Sequence, residues 1–194
     1  FSSINSQAIA GLSTSQVASL SDTQIAALKT AQVVGLTSDQ VSALTVTQVA
    51  ALTTAQASRL TSSQVASLTT AQLAAMETAD LSSLTTASMA ALSSTQFAAL
   101  SADQVAALRT SQFSALNTGI ISGLTTTQVV GLTSSQAAAL TSAQAAVLST
   151  AQVAALEAGD FAKLSTAAVS SLTSDQLAAL TNDQLGAMTS TQAS

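Results

Sequence analysis

Cysteine, histidine, proline, tryptophan and tyrosine are all missing from this 194-residue sequence, and charged residues make up only 7% of it. Each gap excludes something. Nucleophilic catalysis by serine or threonine needs a neighbouring base. With no histidine, only a Ser-Lys dyad at Lys29 or Lys163 could supply one, and that is the weaker reading. The charge is far below the roughly 25% of an average globular chain. The net charge is −5, and the four cations, Lys29, Arg59, Arg109 and Lys163, are scattered. Nucleic-acid binding needs clustered Lys and Arg, so it is not expected. Serine, threonine or glutamine interrupts every short apolar stretch. No run therefore approaches the ~18 apolar residues of a membrane span. No basic segment precedes an apolar core at the start, so no signal peptide is visible. Disorder is not expected either, because hydrophobic content is 47% and a disordered chain is charged and apolar-poor.

What is present is one word, repeated. Octets run without a gap from residue 5 to residue 188, twenty-three in all. Position 8 is Leu in every octet except those ending in Met76 and Met188. Position 4 is Gln in seventeen, and position 5 is always apolar, as in Val17, Ile25, Leu73 and Phe97. Position 1 is mostly Thr or Ser, and positions 6 and 7 are mostly small. Loops tolerate insertions and this frame has none, so the step length belongs to the structure.

A single long helix fails on geometry. At about 100° per residue, eight residues advance roughly 80° beyond two turns, so the leucines would spiral around the helix. A β-solenoid is the alternative, but positions 5 and 8 would face opposite sides of a strand, and Ala and Gln are poor strand formers. Short helices fit better. With position 1 as N-cap, T-x-x-Q is a capping box, and the closing Leu of one octet staples to position 5 of the next, as Leu36 to Val41. A helix of about six residues is not stable alone in water. The expected fold is therefore all-α, a solenoid of very short helices, one per octet, with Leu and Val inside and Thr, Ser and Gln outside or bridging coils. On this reading Gln64→Ala costs only a capping contact, whereas Leu68→Ser damages folding locally.

A longer period lies over the first. Gln is replaced at position 4 by Ala8, Asp80, Ser88, Ile120, Asp160 and Ala168. Ala8, Ser88 and Ala168 are 80 residues apart, as are Asp80 and Asp160, and Glu77 and Glu157. Residues 1–4, F-S-S-I, align in the same way with residues 81–84 and 161–164. Residues 1–194 thus read as a single continuous array of about two and a half 80-residue super-repeats. The array begins and stops inside a repeat, so it is expected to be part of a longer protein, or a subunit whose ends are covered. The 80-residue unit is either a whole number of superhelical turns or the record of a duplication.

Candidate chemistry is sparse. The carboxylate pairs Glu77/Asp80 and Glu157/Asp160 sit three apart, hence as neighbours on a helix. Their plain role is to favour the helix dipole, with Asp standing in for Gln in the capping box. The sharper reading is a weak Ca²⁺ site, which needs more oxygen ligands. Gly11, Gly35, Gly123 and Gly131 occupy position 7 and read as sites of close packing, since no phosphate-binding pattern surrounds them. Phe97, Phe113 and Phe161 take the core position. No catalytic residue and no cofactor is expected, and the protein is not expected to be an enzyme.

Residues 148–156, L-S-T-A-Q-V-A-A-L, fit the pattern L-[ST]-T-x-Q-V-A-A-L fully, and residues 44–52 fit it with Val46 in place of Thr. This pattern resembles the octapeptide arrays of very large bacterial secreted and cell-surface proteins. The resemblance implies an adhesin, matrix or filament component at the bacterial surface or outside the cell, some of which leave by a one-step export route. The expected role is structural, with neighbouring repeats or further copies of the chain as partners. A module binding a repetitive surface, such as polysaccharide or ice, is the alternative. Ice binding is the weaker form, because Ser38, Val46, Ala102, Ala158 and Asn182 interrupt the threonines at position 2.

Overall fold

In a computed structural model, residues 5–193 are described; the aligned segment 1–4 lies outside them. Twenty-three α-helices follow one another from Ser6–Ala10 to Asn182–Ala187, each four to six residues long, one per octet. No strand occurs among the described residues. The all-α repeat fold is therefore the observed one, and the β-solenoid is excluded.

Local chemistry builds each helix. In the octet 61–68, Thr61 is extended (φ −73°, ψ 160°) and its hydroxyl accepts from the Gln64 amide at 3.3 Å. Gln64 Oε1 accepts from the Thr61 amide at 2.9 Å. The same two-way box closes in all fifteen Gln octets headed by Ser or Thr. Lys29 and Arg109 have no side-chain acceptor, so their octets keep only the half made by Gln32 and Gln112. Termination is equally local. Leu68 returns to extended geometry (φ −62°, ψ 138°), and the next N-cap is already waiting at Thr69. No described residue adopts a positive φ. The helices end without the left-handed glycine cap that commonly closes a helix, because the following capping box competes for the chain.

Packing divides the chain into two compact units, Phe1–Leu100 and Ser101–Ser194. In the first, helix Ser38–Ser42 packs on Ser62–Ser67, and Val46–Ala50 on Thr70–Ala75. In the second, Thr126–Val130 packs on Thr150–Ala155, and Ser142–Ala146 on Thr166–Ser170. Within each unit a helix thus meets the one three octets later. Positions 5 and 8 fill the interior, with Leu73, Phe97, Phe113 and Phe161 fully enclosed. The stapled pair Leu36 and Val41 is buried as well.

Position 7 is small in most octets, with Arg59, Val147 and Lys163 as the large exceptions. At Ser83, Gly131 and Ser171 it lies against position 2 of the octet three steps back. Ser83 Oγ donates to the Thr54 carbonyl at 3.3 Å, and Ser171 Oγ to the Ser142 carbonyl at 2.9 Å. A Cβ on Gly131 would stand 2.9 Å from Ala102 Cβ. Gly131 has φ −80°, which any residue adopts, so the close approach is what calls for glycine there. Gly131→Ala should therefore destabilise the second unit by about 1–3 kcal/mol through overpacking. Gly159 has nothing within 4 Å of such a Cβ. Gly159→Ala should instead stabilise by about 0.5–1 kcal/mol, the helix-interior gain of alanine over glycine. Urea denaturation of the two variants checks the opposite signs.

Candidate functional site

The feature that recurs most regularly is the glutamine at position 4. Its oxygen is engaged within its own octet, which leaves the side-chain NH₂ pointing the other way. Gln40 Nε2 donates to the carbonyls of Ile9 at 2.9 Å and Leu12 at 2.7 Å, with Ala10 at 3.3 Å. Gln64 does the same to Val33, Val34 and Leu36, and Gln152 to Ile121, Ser122 and Leu124. The acceptors lie 31, 30 and 28 residues earlier, at the end of the helix four octets back, with Gln96 reaching only those at 30 and 28 and Gln184 those at 31 and 28. The carbonyls 30 and 28 residues back, such as Ala10 and Leu12, are among the orphans that every helix end leaves, whereas the one 31 back, such as Ile9, already accepts from the amide of the closing leucine. Only one orientation of the amide serves both sides, with oxygen toward the N-cap N–H and nitrogen toward the carbonyls.

One side chain therefore starts its own helix and finishes another in the adjoining coil. Backbones meet three octets apart while glutamines reach four, so a turn takes between three and four octets. Gln64 is only 2% exposed, and most of the other glutamines are buried as well. Gln16, in the second octet, is exposed and makes its capping contacts within the octet 13–20.

The sequence pattern showed the capping half of this role and left the reach between coils as one of two options. One signal was present. A capping box takes Glu as readily as Gln, yet Glu never stands at position 4. A carboxylate would restore the box and repel the carbonyls.

The exceptions mark the second period. Ser88 Oγ reaches the Leu60 carbonyl, 28 residues back, at 3.1 Å. Ile120 and Ala168 have no polar side chain to offer. Asp80 and Asp160 do not rebuild the capping box that Asp was expected to supply, and Glu77 and Glu157 make no side-chain cap bond. Asp is one methylene shorter than Gln and turns to the neighbouring coil instead. Thr54 Oγ1 donates to Asp80 Oδ1 at 2.8 Å, and Ser134 Oγ donates to Asp160 Oδ1 at 2.5 Å. The register is 26 residues in both cases.

Within each carboxylate pair the two members part company. Asp80 and Asp160 are buried, whereas Glu77 and Glu157 are exposed. Among the described residues no three acidic groups gather as a cation site would require. Burial pushes the Asp80 carboxyl above its ordinary value of 3.8, the Thr54 hydroxyl opposes this, and the charge of Glu77 adds to it. Lys29 and Lys163 are exposed. No pocket opens among the described residues, and none of their helices is long and apolar enough to cross a membrane.

Comparison with known proteins agrees with the repeat. The model of the ALTTAQ repeat matches four stretches, residues 25–54, 73–110, 105–142 and 153–190. No curated protein and no solved structure matches the chain. The matched stretches cover well over half of the residues, and each holds several copies of the capped, clamped octet. The chain belongs to the ALTTAQ repeat family.

Proposed function

We propose that this array is a structural element, a rod, filament or surface-layer component outside a bacterial cell, built by stacking octets. The observation that carries the reading is the glutamine clamp. The most regular polar side chain of the repeat bonds one coil to the next and leaves no chemistry for a substrate. The product of adding octets is more stacked array and more surface. That surface is mostly Ser, Thr and Ala with few charges, which suits lateral association. Exposed Val34, Val46, Val130 and Val147 add apolar contact points. The extracellular bacterial setting rests on the likeness of the octet to arrays in secreted and surface proteins.

Electron microscopy of the purified chain, with circular dichroism of the same sample, tests the proposal. Uniform filaments or rods with a helical spectrum are expected. Compact, non-associating particles at high concentration would count against it.

A further inference from the structure

We propose that Asp80 is a proton-operated clasp: when protonated its carboxyl donates to the Leu52 carbonyl of the adjoining coil, and when ionised it leaves that bond unmade. Three observations support this. First, Asp80 occupies the position where glutamine elsewhere supplies an N–H donor, and the carbonyls at the matching register are those of Val49, Ala50 and Leu52. All three offer only oxygen, which a carboxylate cannot satisfy and a carboxylic acid can. Second, a short side chain at this position spans the gap between coils. Ser88, with a shorter side chain at the same position of the next octet, reaches its own carbonyl at the 28-residue register, that of Leu60. Third, Asp80 is 1% exposed, and its Oδ2 is buried with no hydrogen-bond partner. Its Oδ1 is occupied by Thr54, so Oδ2 is the atom free to carry the proton.

The charges around it agree. Helix Thr54–Ala57, against which Asp80's helix packs, contains no charged residue, and Arg59 beyond its end is exposed. Octet 45–52 contains none either. Glu77, at the head of the same octet, adds negative charge. These elements therefore hold no cation to compensate an ionised Asp80, and burial raises its pKa against the opposing Thr54 hydrogen bond.

The sign follows from linkage. A carboxyl that holds its proton more tightly folded than unfolded stabilises the fold fully below its unfolded pKa, and that contribution is lost as pH rises through the folded value. The clasp therefore tightens on acidification and loosens toward neutrality. Asp160 occupies the same place 80 residues later, and the Ala168 that follows it has no donor at all. The weakly clamped pair of octets thus recurs once per super-repeat.

Thermal unfolding of the full chain and of Asp80→Asn, near pH 7 and near pH 4, tests the clasp. Asparagine has the shape of the protonated acid and keeps an N–H donor at every pH. The variant should melt several degrees above the native chain at neutral pH, and the gap should close in acid. No gain at neutral pH, or a gap indifferent to pH, would overturn the proposal. So would a native melting temperature that climbs with added calcium chloride and stops doing so in the variant, since the carboxylate would then hold a cation. Should the variant not fold, carboxyl-carbon NMR of the native chain decides the matter. An Asp80 midpoint above 3.8 is expected, and one at or below it refutes the clasp.

Discussion

Gln64→Ala should destabilise the first unit by about 3 kcal/mol, well beyond the loss of a helix cap. The glutamine gives up its bond from the Thr61 amide, at 2.9 Å, and its bonds to Val33 and Leu36, both at 2.8 Å. Both bonds are buried, and the Leu36 carbonyl is left without a donor inside the packed array, whereas the Val33 carbonyl keeps the Leu36 amide at 3.2 Å. Each such group costs about 1–3 kcal/mol when left unmet. Thr61→Ala is the matched control. It removes only the hydroxyl that accepts from the Gln64 amide and should cost about 1 kcal/mol. Gln16→Ala is the second control. Gln16 is exposed and capped within its own octet, so its loss should also stay near 1 kcal/mol. Urea denaturation followed by circular dichroism ranks the three. Equal costs for Gln64→Ala and Gln16→Ala would show that the reach between coils contributes nothing to stability.

The contrast between these variants also marks how far the sequence could be read. The capping box and the staple act over three to five residues, so their signature is contiguous: Thr61, Gln64 and Val65 announce a helix start without reference to any other part of the chain. The frame without gaps implied stacking for the same reason, since one octet alone cannot be stable. The reach of Gln64 to Val33 and Leu36 spans 31 and 28 residues, and every octet looks alike, so nothing in the pattern names which neighbour is touched. The octets per turn were therefore illegible, and with them the partner of every glutamine. The carboxylate pair is the reverse case. Glu77 and Asp80 are neighbours in sequence, which suggested one shared site. The short Asp side chain is drawn into the adjoining coil by Thr54 while Glu77 stays in solvent, so coil packing separates what the sequence joined. The small residue at position 7 was legible as close packing. Its partner, position 2 three octets back, emerged only from the geometry around Gly131 and Ala102.

Leu68→Ser should be the most damaging of the substitutions considered, and its damage should be confined. Leu68 is 2% exposed and closes its octet at the interior face. Removing a buried leucine side chain costs about 2–5 kcal/mol. The serine hydroxyl adds about 1–3 kcal/mol if it finds no partner among apolar neighbours. Leu68 also holds the chain where its carbonyl accepts from Gln96 Nε2 at 2.6 Å, so a shift there loosens the next clamp as well. Its helix, Ser62–Ser67, packs on Ser38–Ser42 before it and Thr86–Ala90 after it. In a solenoid each unit depends on its near neighbours, so the loss should spread to these octets and fade beyond them. Native-state hydrogen exchange resolves this directly. Amides of octets 37–44, 61–68 and 85–92 should exchange faster, while those of Thr166–Ser170 keep their protection. Uniform acceleration along the whole chain would mean that the octets unfold as one cooperative body and that stability is not a sum of neighbouring contacts. No acceleration at all would mean that position 8 is not the core of the array, and the packing account given for every octet would fail with it.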